Sequence, residues 1–108
     1  MSNISYCYEI YLPLNYNNGG AVEHIKFKQT KDDLVKRFGG VTLAPLDKNL
    51  AYEGIWVDKG KTYVDRIVIA RVITDVDEDD FYMDFKEVLE KRFHQKEIMI
   101  TKHTVEKI

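Results

Sequence analysis

Cysteine, proline and long apolar runs are scarce in this chain of 108 residues. Cys7 is the single cysteine, so no disulfide can form within the chain. A lone thiol in an early strand is typical of packing rather than of chemistry. Cysteine and histidine do not recur at the local spacing of a zinc site, and no apolar stretch approaches the roughly 20 residues of a membrane-spanning helix. The sequence therefore predicts no metal, no cofactor and no membrane partner.

An excess of charge of one sign is also missing. The chain has 16 lysines and arginines against 18 aspartates and glutamates, for a net charge of -2. This balance does not support a broad nucleic-acid surface. The N-terminus lacks a basic region followed by an apolar run, so no signal peptide is predicted and the cytoplasm is the expected location. Hydrophobic residues make up 44% of the chain, which is enough for one core, so residues 1–108 are predicted to form a single domain.

Catalytic patterns are absent at the level of local sequence. The two glycine pairs lack the Lys-Ser/Thr of a phosphate loop, and the three histidines show no pairing with each other or with a nucleophile. The acidic run at 75–80 begins with calcium-loop spacing, but Asp80 replaces the turn glycine and Lys86 replaces the bidentate glutamate. We interpret this run as the solvated start of a helix, and the catalytic residues, if any, are unknown.

The stretch at 61–74, KTYVDRIVIARVIT, dominates what is present. It is the longest run rich in β-branched and aromatic residues, which predicts the central strand of a sheet. Apolar residues lie on both of its faces through the middle, which predicts that both faces are covered.

The remaining elements follow from periodicity and from turn residues. The segment 23–28 alternates like a strand, but an apolar stripe at helical spacing and the basic residues before Gly39 favour a helix. Asp77 is the predicted N-cap of the second helix. The predicted elements are a strand at 5–13, a helix at 23–38, a strand at 41–46, a loop at 47–53, a short hairpin strand at 54–57, the long strand at 61–74, a helix from the acidic run to residue 93, and a strand at 97–105.

This order predicts an α+β fold of the ferredoxin-like, split β-α-β class. The expected architecture is an antiparallel four-stranded sheet with two helices on one face and an extra short hairpin strand. The second face of the sheet is left open and still carries apolar residues from the central strands. Exposed apolar patches usually mark a partner, so we predict a homodimer that packs through this face around Ile67 and Ile69.

Four short motifs carry a resemblance to a known group of proteins. They are FGGVT at 38–42, GIW at 54–56, YVD at 63–65 and RFHQ at 92–95. In this order they resemble a family of small uncharacterised bacterial proteins with the pattern FGGxT, GxW and RFxQ. The resemblance covers most of the chain and implies a ferredoxin-like domain, but it implies no activity.

The polar and amphipathic members of these motifs form a candidate ligand site. Arginine and glutamine can hold a carboxylate or phosphate while tryptophan and tyrosine supply a stacking wall, which predicts a small anionic ligand. The alternative is a structural network, in which Trp56 fills the edge of the core and Asp65 pairs with an arginine. The candidate residues are Thr42, Trp56, Tyr63, Asp65, Arg92 and Gln95.

Three functions remain open. The preferred one is a dimeric interaction or small-ligand-binding module, because no catalytic constellation can be identified. The second is a small ferredoxin-like hydrolase or nuclease that uses Asp65, Arg92 and His94 near Trp56. The third is an RNA-binding sheet, since aromatic residues on such sheets stack bases. Nucleic acid is the least favoured partner, because Glu9 and Asp65 lie among the tyrosines concerned, which are Tyr6, Tyr8, Tyr11 and Tyr63.

Overall fold

The computed structural model describes residues 3–45 and 51–108 and confirms the predicted α+β arrangement. Two helices pack against an antiparallel sheet of five strands. The elements are β1 (Ile4–Pro13), α1 (His24–Phe38), β2 (Thr42–Ala44), β3 (Tyr52–Asp58), β4 (Lys61–Thr74), α2 (Asp79–Arg92) and β5 (Ile100–Glu106).

β1 and β4 are the central strands of the sheet, as predicted. The strand order is β2-β4-β1-β5, and β3 pairs with a different part of β4. Ile10 of β1 lies opposite Ala70 of β4 and Ile100 of β5. Since successive side chains of a strand point to opposite faces, this register assigns every residue of the sheet to one face or the other.

The core lies between the helices and one face of the sheet. Burying these apolar side chains is the main favourable contribution to folding. The fully or nearly fully buried residues of this layer include Tyr8, Ile10, Leu12, Val68, Ala70 and Val72 from the sheet and Leu34, Tyr82, Phe85, Leu89 and Phe93 from the helices or their ends.

The second face of the sheet is open in the single chain. Ile73 is 49% exposed, whereas Ile67 and Ile69 are half-buried. The prediction that both faces of the long strand are covered is therefore wrong for one chain, because both helices lie on the same side. The open face is where the predicted partner surface and several candidate site residues lie.

A hairpin formed by β3 and β4 extends past the end of β1. Its two-residue turn is formed by Lys59 and Gly60, which both have positive φ, 51° and 77°. This is the type I′ geometry that fits the twist of a tight hairpin. The pairing of β1 with β4 ends at Pro13 opposite Ile67, so among the described residues the tip of β4 pairs only with β3. The hairpin strand is longer than predicted and begins at Tyr52.

The ends of the helices are close to the predicted positions. α1 is helical from His24, which decides against a strand at 23–28, and it ends at Gly39 with φ 81° as predicted. α2 has Glu78 at its N-cap, so the prediction of Asp77 is wrong by one residue. Asp77 still satisfies a free donor of the first turn, since its Oδ1 accepts the N–H of Asp79 at 2.8 Å.

The last strand begins later than predicted. β5 begins at Ile100, three positions after the expected residue 97, because the chain at 97–99 passes the end of β1 with a single bond from Tyr11 N–H to the Met99 carbonyl. The end of the predicted strand at 41–46 and most of the predicted loop at 47–53 lie outside the described residues. No helix in the described part of the chain is long and apolar enough to cross a membrane, and the cytoplasmic location stays a prediction.

Candidate functional site

The protruding hairpin carries an aromatic pair on the open face of the sheet. Trp56 of β3 and Tyr63 of β4 lie directly opposite each other, and their rings stack with centroids 4.3 Å apart. Trp56 Nε1 donates a hydrogen bond of 2.8 Å to Asp65 Oδ2. Gly54 lies opposite Asp65 and presents no side chain, so the indole edge reaches the carboxylate along the strand. The tryptophan is 47% exposed, so it does not fill the edge of the core as the structural alternative supposed.

This pair forms one wall of an open groove of about 1030 Å³. The opposite wall comes from the 95–99 segment, and Asn15 and Tyr16 lie at its end. Gln95 Nε2 donates to the Phe93 carbonyl at 3.2 Å, which leaves the amide oxygen as an acceptor. The charged residues that line the groove are balanced between two acids and two bases, Asp65, Glu97, Arg66 and Lys96.

Four of the six predicted site residues line this groove, and two do not. Trp56, Tyr63, Asp65 and Gln95 are brought together by the hairpin and the end of α2. Thr42 lies on β2 opposite Arg71, away from the hairpin tip.

Arg92 belongs to the helix layer instead. Its guanidinium donates to Thr30 Oγ1 at 2.9 Å and to Asp33 Oδ2 at 2.8 Å, and its side chain is only 16% exposed. Charge-assisted bonds of this kind are the strong ones, so Arg92 ties α2 to α1. The groove therefore lacks the guanidinium of Arg92, on which the predicted anionic ligand depended.

Comparison with known proteins identifies structural neighbours only. No protein-family model matches the sequence, and no curated protein matches it. Similar solved structures include the divalent cation tolerance protein (Cut A1) from Thermus thermophilus, with a TM-score of 0.64 and 14% identity over 96% of this chain and 86% of that one. They also include a phage SAM lyase in complex with S-methyl-5′-thioadenosine, with a TM-score of 0.63 and 13% identity over 95% of this chain and 90% of that one. The chain shares their fold. The ferredoxin-like class is thus confirmed, while the resemblance to the family with the FGGxT pattern stays a prediction.

The residues proposed for a hydrolase or nuclease have different partners. Asp65 binds Trp56, and Arg92 binds the first helix. His94 has φ 53° after the end of α2, and its ring stacks on Tyr16 with centroids 5.0 Å apart. Neither Arg92 nor His94 lines the groove that contains Asp65. The geometry gives this trio no common reaction centre.

The tyrosines considered for RNA binding are divided between the two faces. Tyr11 and Tyr63 are on the open face, but Tyr8 is on the helix face and is 2% exposed. A buried ring cannot stack on a base, so the sheet does not present the aromatic row that the sequence indicated.

The acidic run forms the solvated start of α2, as interpreted from the sequence. Lys102 of β5 bridges Asp77 and Asp79 at 2.9 Å each, and these carboxylates raise the pKa of its ammonium group. The N–H of Asp79, followed by Lys102, lowers the pKa of Asp77. The ion pairs join the helix start to the edge of the sheet.

The sequence did not reveal one cluster of side chains of metal-ligating types. Cys7 and Glu9 lie two residues apart on the open face of β1, and His103 of β5 lies opposite Cys7. One ligand atom from each of the three lies within 4.8 Å of the others. Burial raises the pKa of the Cys7 thiol, Glu9 raises it further, and Arg71 opposes the shift. The only signal in the sequence is the alternation of Cys7 and Glu9, because His103 comes from the far end of the chain.

Proposed function

We propose that this chain is a small-ligand-binding module whose groove binds a flat, nucleoside-sized heterocycle against the hairpin. The observation that carries this proposal is the stacked pair of Trp56 and Tyr63 held beside the carboxylate of Asp65. Both rings are fixed by cross-strand pairing, so little side-chain entropy is lost when a ligand stacks on them.

The polar groups of the groove favour a neutral ligand with hydrogen-bond donors. Asp65 Oδ2 is occupied by the indole N–H, while its second oxygen has no partner among the described residues. The amide oxygen of Gln95 is a second acceptor. The lining contains two acidic and two basic residues, and Arg92 binds α1 instead of the groove. The net electrostatic attraction for an anion is therefore small. An amino-substituted ring satisfies both acceptors and stacks on the exposed indole.

A solved structure of similar fold supports this ligand class. The phage SAM lyase, which shares the fold at 13% identity, was solved in complex with S-methyl-5′-thioadenosine, a nucleoside thioether. That observation belongs to the lyase, with which this chain shares the fold. It makes this nucleoside and adenosine the first probes for the groove.

We expect both nucleosides to change the fluorescence of the protein in a saturable manner. Trp56 is the only tryptophan of the chain, so emission excited beyond tyrosine absorption reports on the proposed site alone. In Tyr63→Ala the apparent affinity should fall at least about fivefold, because the aromatic wall that supports the indole is lost and base–aromatic stacking contributes about 1–3 kcal/mol per base.

The matched control for this titration is Tyr52→Ala. Tyr52 lies on the same face of β3 and is 48% exposed, much like Trp56, but it does not line the groove. The affinity of Tyr52→Ala for both nucleosides should equal that of the wild-type protein. No saturable change with either nucleoside, or equal losses in both variants, would contradict the proposed function.

Self-association is the second candidate function, in the form of the homodimer predicted through the open face. The observation in its favour is that Ile73, Tyr52 and Trp56 are each about half exposed, at 49%, 48% and 47%, on the face that also carries Ile67 and Ile69. Exposed apolar surface of this kind often marks a site that a partner protein covers.

Native mass spectrometry of two charge variants tests the dimer. We expect wild-type protein to be dimeric and Ile73→Asp to be monomeric, because a buried unpaired carboxylate is costly. Val57→Asp is the control, since Val57 is 66% exposed but points to the opposite face of the hairpin. A monomeric wild type, or dissociation by the Val57 variant alone, excludes the open-face dimer.

A further inference from the structure

We infer that Cys7, Glu9 and His103 form a binding site for a thiophilic divalent cation of the zinc class on the open face of the sheet. One ligand atom from each side chain lies within 4.8 Å of the other two. Among the described residues, these three side chains form the group of three potential metal ligands that meets this distance. The site is separate from the hairpin groove and does not depend on the proposed ligand.

The backbone register sets this cluster. Cys7 and Glu9 are alternate residues of β1 and therefore project from the same face. His103 is the direct cross-strand neighbour of Cys7, and β1 is a central strand held by β4 on its other side. Ligands that project from paired strands are fixed more firmly than ligands on a loop.

The donor set selects the type of cation. Thiolate, imidazole and carboxylate together suit Zn²⁺, which binds each of them at about 2.0–2.3 Å. A tetrahedral site with such bonds separates its ligand atoms by about 3.4 Å. The side chains therefore need to approach by on the order of an ångström, which requires small rotations of Cys7 and Glu9 as well as of the half-exposed histidine. Three protein ligands leave the fourth position for water or a further ligand.

Arg71 positions Glu9 and also lies beside the Cys7 thiol. The guanidinium donates to a single carboxylate oxygen, Oε2, from Nε at 3.2 Å and from a terminal nitrogen at 2.8 Å. Glu9 Oε1 is left on the histidine side, 3.8 Å from His103 Nδ1. A second hydrogen-bonded partner of this kind is what orients a metal-binding carboxylate.

The site is shielded from solvent on the side of Cys7 and Glu9 and is accessible to a cation on the side of His103. Cys7 is 2% exposed and the Glu9 side chain 13%, whereas the His103 side chain is 54% exposed. Zinc binds cysteine as the thiolate, so metal binding should release the proton of the Cys7 thiol.

Cobalt(II), a coloured substitute for zinc, gives the direct test on the purified full chain. We expect a sulfur-to-metal charge-transfer band in the near ultraviolet that saturates at one equivalent, with Zn²⁺ displacing the cobalt. Since Cys7 is the only cysteine, this band can come from no other residue. Competition with a chromophoric chelator should show Zn²⁺ affinity reduced at least about tenfold in Cys7→Ser, Glu9→Gln and His103→Gln.

His24→Gln is the matched control, since His24 is an exposed histidine at the start of α1, and it should bind Zn²⁺ as the wild type does. Far-ultraviolet circular dichroism checks that each variant keeps its fold. The site is excluded if no thiolate band appears, if Zn²⁺ affinity is unchanged in His103→Gln, or if saturation occurs at half an equivalent, which requires ligands from two chains.

Discussion

Replacing Phe93 by alanine should lower the free energy of unfolding by about 3–5 kcal/mol. Phe93 is fully buried at the end of α2, where its ring packs edge-on against Phe27 with centroids 5.3 Å apart. Its loss removes buried apolar area and leaves a cavity between the two helices and the sheet. Small domains are stable by only about 5–15 kcal/mol, so the alanine variant could be largely unfolded. Phe93→Leu is the milder variant, and its free energy of unfolding should fall by less than half as much.

Trp56→Ala is the matched comparison, because it deletes an even larger ring. Trp56 is 47% exposed and contacts chiefly Tyr63 and Asp65, so we expect a loss of no more than about 1.5 kcal/mol. Urea unfolding followed by circular dichroism measures both variants on one scale. Similar losses for Phe93→Ala and Trp56→Ala would mean that the hairpin aromatic is structural, and would remove the main reason to regard it as a ligand contact.

These two aromatic residues also show what the sequence can and cannot predict. Phe93 continues a stripe at helical spacing, and such a stripe must face the core, so its burial was predictable. Trp56 lies in the predicted hairpin strand, but pairing with the long strand does not decide whether its ring fills a core edge or forms an open wall. Its exposure follows from the hairpin extending past β1, which depends on the end of pairing at Pro13.

The face of Asp65 was undetermined for a similar reason. A shift of one residue in the register of β4 moves every side chain to the other face. The positive φ values of Lys59 and Gly60 set the tight turn, and the turn sets the register that places Asp65 beside Trp56. The fold class was more robust, because it depends only on the order of the elements.

The surroundings of Arg92 and His103 could not be predicted, because they depend on partners distant in sequence. Arg92 shares a motif with Gln95, yet it points to the other side of α2 and binds Thr30 and Asp33. His103 has no ligand partner at local spacing and meets Cys7 only through the pairing of β1 with β5. Local spacing can identify ligands on one helix or loop, but it cannot identify ligands that two strands bring together.

A second stability prediction concerns two stacked tyrosines in the core. Tyr8 of β1 and Tyr82 of α2 lie with ring centroids 4.1 Å apart and planes within 10° of parallel. Tyr8 donates to Asp79 Oδ1 at 2.7 Å and accepts the Glu78 N–H at 2.8 Å. Tyr82 is 3% exposed, and its buried hydroxyl has no hydrogen-bond partner among the described residues. Burial, the dominant cause, raises the pKa of both phenols.

Removing the two hydroxyl groups should have opposite consequences. Tyr8→Phe leaves the Glu78 N–H and the Asp79 carboxylate without their partner at the start of α2, so the free energy of unfolding should fall by about 1–3 kcal/mol. Tyr82→Phe removes an unsatisfied polar atom and keeps the ring stack, so stability should be unchanged or rise by up to about 1 kcal/mol.

Urea unfolding of the two single variants and the double variant measures these effects at constant ring packing. Because each substitution removes one oxygen and keeps the ring, any difference between them comes from the hydrogen bonds. Because the two rings are stacked, the double variant measures how strongly the two hydroxyl groups are coupled, as its difference from the sum of the single changes. A destabilised Tyr82→Phe would show that its hydroxyl has a partner, such as a buried water, and a neutral Tyr8→Phe would show that its two bonds do not hold the start of α2 to the sheet.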